Sequence, residues 1–326
     1  MEVVIPKNFI VILLEMNTYS VDKAVTIRYP STANLMIDSD DRDKVFDASG
    51  FELTTPWNFL IRKSQNIQNG FFSRVGTTEV VLEWCLPNVS NDLSNNFLSF
   101  DISGTGAETF AGTINVNLEN QILTVAQALD QIVDYLNTVL DAFGSTIVFS
   151  VTVLNASNTA IDISGGVFKI ENPQLAPLAT QLSLLDLSGN PILATTPLGD
   201  AILVGKCADL RPYRYIDFVS DTITYAQDVK DGSTAPFNFD VLCRWYFSED
   251  VPEEVDSYGY PILMGYRHFT RRRLYNPPKQ IKWDNNLPLG NLRFQVYGDN
   301  GQIIPRINTA TVGKSNWLMT LQLSEN

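Results

Sequence analysis

Histidine is almost absent from this chain: His268 stands alone among 326 residues. One imidazole nearly excludes Ser-His-Asp triads, His-rich metal centres and H-E-x-x-H chemistry. Cysteine is scarce as well. Cys85, Cys207 and Cys243 lie far apart with no C-x-x-C pair, which excludes a disulfide framework and a Cys-rich zinc site. Reduced, buried thiols are expected. Long apolar runs are missing: Phe9–Leu14 near the N-terminus is six residues and stops at Glu15, whereas a membrane span needs roughly 20. No transmembrane segment and no cleaved secretion signal is expected, so the sequons Asn88-Val-Ser90 and Asn155-Ala-Ser157 read as chance matches.

Positive charge is also in short supply. The chain has 23 Lys and Arg against 36 Asp and Glu, a net of −13, which argues against wrapping nucleic acid, since that affinity comes from neutralising phosphates. The deficit is uneven. Residues 1–200 hold 9 basic and 22 acidic residues, while 201–326 hold 14 of each. Between 87 and 205 the single basic residue is Lys169 against 11 acids, in a stretch rich in Ser, Thr, Asn and Leu. A shift of that size marks a separate subregion, expected as an insertion over 91–204.

What is present is a core and β-pattern. With 44% apolar and 18% charged residues the chain can bury a sizeable interior. Alternating aromatic and branched residues predict strands at 57–63, 71–86, 146–154, 166–171, 214–225, 239–247, 291–297 and 316–323. Asn69-Gly70 between two such runs predicts a hairpin, and Asp299-Asn300-Gly301 predicts a second turn. One helix is expected after Thr124: Gln127 completes a capping box, Leu129, Ile132, Val133, Leu136 and Leu140 recur at helical spacing, and Gly144 ends it. Its single apolar face should lie on a sheet. Many short strands, few helices and no βαβ rhythm predict an all-β fold, a β-sandwich or jelly roll.

Signals for chemistry are sparse. Gly104-Thr-Gly106 lacks the third glycine of a dinucleotide fingerprint, and no Walker or G-x-S-x-G motif occurs. Glu249-Asp250 and Glu253-Glu254 flank Pro252 in what reads as a solvated loop. Asp38-Ser-Asp-Asp-Arg-Asp43 lacks EF-hand spacing, and Arg42 and Lys44 compete for its acids, so a salt-bridged polar turn is expected. No catalytic, cofactor-binding or metal-ligating residue is expected. The unusual stretch is 266–282, which holds Arg267, Arg271, Arg272, Arg273, Lys279 and Lys282 with no acid, interleaved with Tyr266, Phe269 and Tyr275. Three readings stand: a nucleic-acid patch with stacking rings, a docking surface for an acidic protein, or a strand edge guarded by charge. An acidic chain favours the second over the first.

Several stretches together resemble the penton (minor capsid) proteins of virophages and polinton-like viruses. They are Leu35–Asp43, Phe59–Val89, Tyr215–Ser220 with Gln227–Asp231, Val241–Phe247, Pro277–Asp284 and Asn291–Tyr297, in family order, fading over 90–200. The resemblance implies a single jelly-roll β-barrel with an inserted mostly-β subdomain carrying one helix. It divides the chain into an N-terminal arm (1–45), a jelly roll (46–90 and 205–326) and an insertion (91–204). It further implies a non-enzymatic capsid subunit located in the virion, forming a homopentamer at five-fold vertices. Its partners would be the viral major capsid protein and other minor capsid proteins, with no specific nucleic acid. A competing reading is a jelly-roll or sandwich module that binds carbohydrate or a cell-surface receptor through exposed aromatic rings. Against it, Trp57, Trp84, Trp245 and Trp317 all fall in strand-like runs, where packing is the default.

Overall fold

Alternation of inward apolar and outward polar side chains builds most of this molecule. The computed structural model describes residues 32–325 apart from 51, 68–71, 105–110, 156–157, 165, 171–176, 185, 189, 191, 197–198, 206, 225–240, 248–253, 283–288 and 307–314. Three strands come first: β1 (Thr32–Asp38), β2 (Asn58–Ile67) and β3 (Arg74–Trp84). Next are β4 (Phe97–Gly104), β5 (Ala111–Asn117), helix α1 (Val125–Ala142), β6 (Val148–Asn155), β7 (Asn158–Ser164) and β8 (Gly166–Ile170). A short helix α2 (Pro177–Gln181), β9 (Leu193–Thr196) and β10 (Gly199–Val204) follow. The last group is β11 (Tyr215–Val219), a single turn α3 (Asp221–Thr224), β12 (Val241–Tyr246), β13 (Phe269–Leu274), β14 (Gln280–Lys282), β15 (Leu289–Gly298) and β16 (Asn316–Ser324).

Two antiparallel sheets, ordered β1-β16-β3-β13 and β12-β11-β15-β2, share one core, and β14 continues along β3 beyond β13. If β13 and β14 count as one interrupted strand, the eight strands in chain order read 1-8-3-6 in one sheet and 5-4-7-2 in the other. That wrapping is a jelly roll, with two facing sheets that do not close into a barrel. The core is aromatic. Trp317 lies 5.4 Å from Phe59 and 5.1 Å from Phe218, and Trp84 lies 4.7 Å from Phe247, measured between ring centroids. Each such pair adds about 0.5–1.5 kcal/mol beyond its buried area. Trp57, Trp84, Trp245 and Trp317 are all buried, as their strand positions predict.

The predicted hairpin at Asn69-Gly70 is not formed. The turn lies outside the described residues, but β2 pairs with β15 and β3 pairs with β16, β13 and β14, in opposite sheets. A tight turn between two alternating runs looks the same locally whether the chain doubles back or crosses over. Here β2 takes β15 as its neighbour and β3 takes β16. The turn at Asp299-Asn300-Gly301 does form: Gly301 has φ +73°, and the Gly298 N–H donates to the Gln302 carbonyl at 2.9 Å. The strand expected over 214–225 stops at Val219, and α3 follows it.

Between β3 and β11 the chain makes a long excursion, with sheets β5-β4-β8 and β6-β7-β10-β9. The capping box of α1 is complete: the Gln127 N–H donates to Thr124 Oγ1, and the Thr124 N–H donates to Gln127 Oε1. The helix buries Leu129, Ile132 and Leu136 against a second apolar cluster that includes Phe100 and Phe149. Asn137 fixes it to β6 through both the N–H and the carbonyl of Phe149. The chain after β12 returns to this cluster. Asp256 accepts the Ala126 N–H at the start of α1 at 2.9 Å, and Tyr260 and Tyr266 enter the same core. Cys85 and Cys243 are buried free thiols, whereas Cys207 is free but exposed, against the expectation of burial. It lies in the connection between β10 and β11, where nothing apolar covers it.

Candidate interaction surface

The six cations singled out in the sequence gather on one edge of the fold. Arg267 precedes β13, Arg271, Arg272 and Arg273 lie on it, and Lys279 and Lys282 accompany β14. Strand β13 ends its sheet, so among the described residues only β3 pairs with it. Period-two geometry separates its side chains. Phe269, Arg271 and Arg273 stand opposite Trp84, Leu82 and Val80, on the side that faces the second sheet. Arg272 stands opposite Val81 on the outer face, where it forms an ion pair with Glu79.

A row of rings and cations runs from the outer face of β11 and β12 to the β13 edge. Asp217 on β11 holds Arg244 of β12 by two bonds, 2.6 Å to Nε and 2.7 Å to Nη2. The Arg244 guanidinium lies 3.9 Å from the Tyr215 ring centre and 5.8 Å from that of Tyr246. Arg273 continues the row, 5.7 Å from Tyr246 and 5.3 Å from Tyr275. Cations over ring faces attract electrostatically, by about 0.5–1 kcal/mol where exposed. The hydrogen bond to Asp217 raises the pKa of Arg244 further, so its charge is fixed at every working pH. The Tyr275 hydroxyl donates to the Arg244 carbonyl and Lys279 Nζ to the Val241 carbonyl, both at 3.0 Å. These bonds cover main-chain acceptors on the β12 edge that a foreign strand would otherwise use.

Toward the end of the edge nearest the excursion, Arg267 pairs with Glu254 at 2.7 Å, and His268 Nε2 lies 3.7 Å from Glu83. The arrangement offers fixed positive charge, guanidinium forks and tyrosine faces, the groups favoured at protein interfaces. Arg244, Tyr215, Tyr246 and Asp217 belong to it but were not singled out in the sequence. Their signal was one charged residue inside the apolar run Val241–Phe247, which is weak without knowledge of which strands pair.

The Asp-rich turn after β1 is salt-bridged, as expected. Arg42 bonds Glu52 at 2.8 Å, Lys44 bonds Asp40 at 3.0 Å, and Arg62 bonds Asp43 at 3.0 Å. A cleft of about 540 Å³ beside it is lined by both signs of charge, including Arg42, Lys44, Glu52 and Glu83. Among the described residues no group of three or more His, Cys, Asp or Glu side chains could hold a metal ion. Of the acid pairs near Pro252, Glu249, Asp250 and Glu253 lie outside the described residues, and Glu254 is exposed. No described helix is long and apolar enough to cross a membrane.

No family model and no curated protein matches the chain. Among solved structures it is similar to the mavirus penton protein, determined as a crystal structure of the selenomethionine-labelled form. That similarity has a TM-score of 0.48 at 10% identity and covers 92% of this chain and 100% of that one.

Proposed function

We propose that this chain is a non-enzymatic structural protein of a viral capsid, a vertex subunit that forms a homopentamer and contacts neighbouring major capsid proteins. The observation that carries the reading is the jelly roll with its strands 1-8-3-6 and 5-4-7-2, flanked by an edge of fixed cations and rings. A ring subunit needs two different lateral surfaces that meet head to tail, and two stacked sheets with open edges provide them. The residues assigned to capsid contact are Arg267, Arg271, Arg272, Arg273, Lys279 and Lys282. The resemblance of Phe59–Val89 and the other ordered stretches to penton proteins points the same way and supports a location in the virion.

Charge reversal of Arg271, Arg272 and Arg273 tests the assignment. The purified variant should remain folded, and particles made with co-expressed major capsid protein should lose vertex density in electron micrographs. Normal vertex occupancy would remove the contact role. A second reading, a recognition module for carbohydrate, draws on Tyr246, which is 39% exposed beside Tyr215. The four buried strand tryptophans are closed to a sugar ring, so that reading draws on exposed rings such as these tyrosines. A folded monomer whose glycan binding is lost in Tyr246→Ala would favour it.

A further inference from the structure

The two sheets leave two flanks on opposite sides of the jelly roll. One is bounded by the edge strands β1 and β2, the other by β12 and β13. Their charge is opposite. From Asp38 to Glu52 the first flank carries Asp38, Asp40, Asp41, Asp43, Asp47 and Glu52 against Arg42 and Lys44, with Arg62 beside them on β2. Asp40 keeps 61% of its side chain in solvent and Asp43 41%. The second flank has the six cations of 266–282 and Arg244, with Glu79, Glu254 and Asp217 paired to Arg272, Arg267 and Arg244, which leaves positive charge in excess.

Apolar exposure follows the same two flanks. On the described jelly-roll strands and the β1–β2 connection, the large apolar side chains left mostly in solvent are Met36, Val45, Phe46 and Leu53 on the acidic flank. On the basic one Tyr246 is 39% exposed beside Arg273, and Leu274 is exposed on the outer face of β13. Val45, Phe46 and Leu53 sit on a small ribbon held by the Leu53 N–H to Val45 carbonyl bond at 2.6 Å and a Phe46–Glu52 bridge. Exposed apolar side chains beside charges are found at protein interfaces. Two such patches of opposite charge on opposite sides fit a heterologous contact, in which one patch of each subunit meets the other patch of the next.

We propose that the partner of the basic β12–β13 flank is a second copy of this chain, which docks its Asp40–Leu53 ribbon there. Phe46 meets Tyr246, and the acids of the ribbon meet Arg271 and Arg273. The inference rests on the vertex-subunit reading and names the first neighbour of the basic edge as a sibling subunit.

Sedimentation velocity of the full chain across concentration and salt tests the pairing. Arg271→Glu with Arg273→Glu should weaken self-association by about tenfold or more, and so should Asp40→Lys with Asp41→Lys. All four changes in one chain restore opposite charges across the contact and should recover association. Phe46→Ser provides an uncharged variant at an exposed site, and it should weaken association without moving the melting temperature. A wild-type assembly indifferent to these variants, or a four-change chain that fails to recover, overturns the pairing. A wild-type chain that stays monomeric at every concentration overturns it too. Vertex incorporation with co-expressed major capsid protein separates the two levels: a chain that enters vertices while its contacts ignore these variants loses only the pairing. A chain that neither self-associates nor enters vertices loses the vertex reading as well.

Discussion

Asp209 is where a single substitution should reveal how the excursion is clamped to the jelly roll. It sits just before β11, beside Leu210 of one core and close to Tyr213 of the other. Its carboxylate accepts Arg211 Nε at 3.0 Å, Arg211 Nη2 at 2.6 Å and the Tyr266 hydroxyl at 3.0 Å. The Tyr266 oxygen in turn accepts the Leu210 N–H at 2.8 Å. Arg211 is nearly enclosed, with 12% of its side chain exposed. Gly265 packs closely on its stem: a methyl there would come within 2.8 Å of Arg211 Cγ. Asp209→Asn keeps the shape and one acceptor but leaves a half-desolvated cation facing an amide. Bonds to charged groups are worth about 1.5–3 kcal/mol each, and partial exposure of Asp209 holds the expected loss to about 2–3 kcal/mol. At roughly 2 °C per kcal/mol for a chain of this length, the melting temperature should fall by about 4–6 °C.

The same substitution carries a pH signature. Burial pushes the Asp209 carboxyl up, but the hydrogen bonds and charge of Arg211 outweigh it and leave the group below its ordinary value. A depressed folded pKa gives stability that is present above the unfolded value of about 3.9 and is lost as pH falls through the folded one. The gap between wild type and Asp209→Asn should therefore be full at pH 7 and close below about pH 4. Tyr266→Phe, which deletes the shared hydroxyl, should cost about 1–2 kcal/mol. In the double variant the losses should add to less than their sum, since both sit in one network. Calorimetry or thermal circular dichroism reads all three. A variant within 1 °C of wild type at pH 7, or a gap undiminished at pH 3, refutes the clamp.

Other outcomes follow from single sites. Burial raises the Cys243 thiol to about 12 and also raises Cys85, while Cys207 is exposed. A thiol reagent at pH 8 should therefore label one cysteine in the native protein and three in denaturant; fast native labelling of a second would contradict the packing around β3 and β12. Gly298→Ala would place a methyl 2.3 Å from Tyr213 Cε1. Overpacking of that kind costs about 1–3 kcal/mol, and an unchanged urea midpoint would count against the close approach of β15. Thr124→Ala removes the acceptor for the Gln127 N–H and should cost about 1 kcal/mol, read as an earlier loss of helical ellipticity on heating.

The strands and the helix were legible because their signals are local. Leu318 and Met319 alternate between outside and inside on β16 because a pleat does so, and Thr124 with Gln127 announces α1 through bonds made within four residues. The cations of 266–282 were visible as a charge run for the same reason. Strand partnership was not. Asn69-Gly70 is compatible with a hairpin and with a crossover, and the pairing of β2 with β15 and of β3 with β16 excludes the first. Nor does anything near Arg244 in the chain announce that Tyr215, 29 positions earlier, lies under its guanidinium.

From its residues alone, then, the chain determined an all-β character with one amphipathic helix, a polar and acidic middle, and a basic segment rich in rings. These follow from side-chain periodicity, capping and composition, none of which needs a partner far away in sequence. Tertiary structure decided which of the described strands lie at the sheet edges and what faces them. It placed the acidic Asp38–Glu52 turn and the basic β13 on opposite sides, because edge position is a property of the completed sheet and of no single strand.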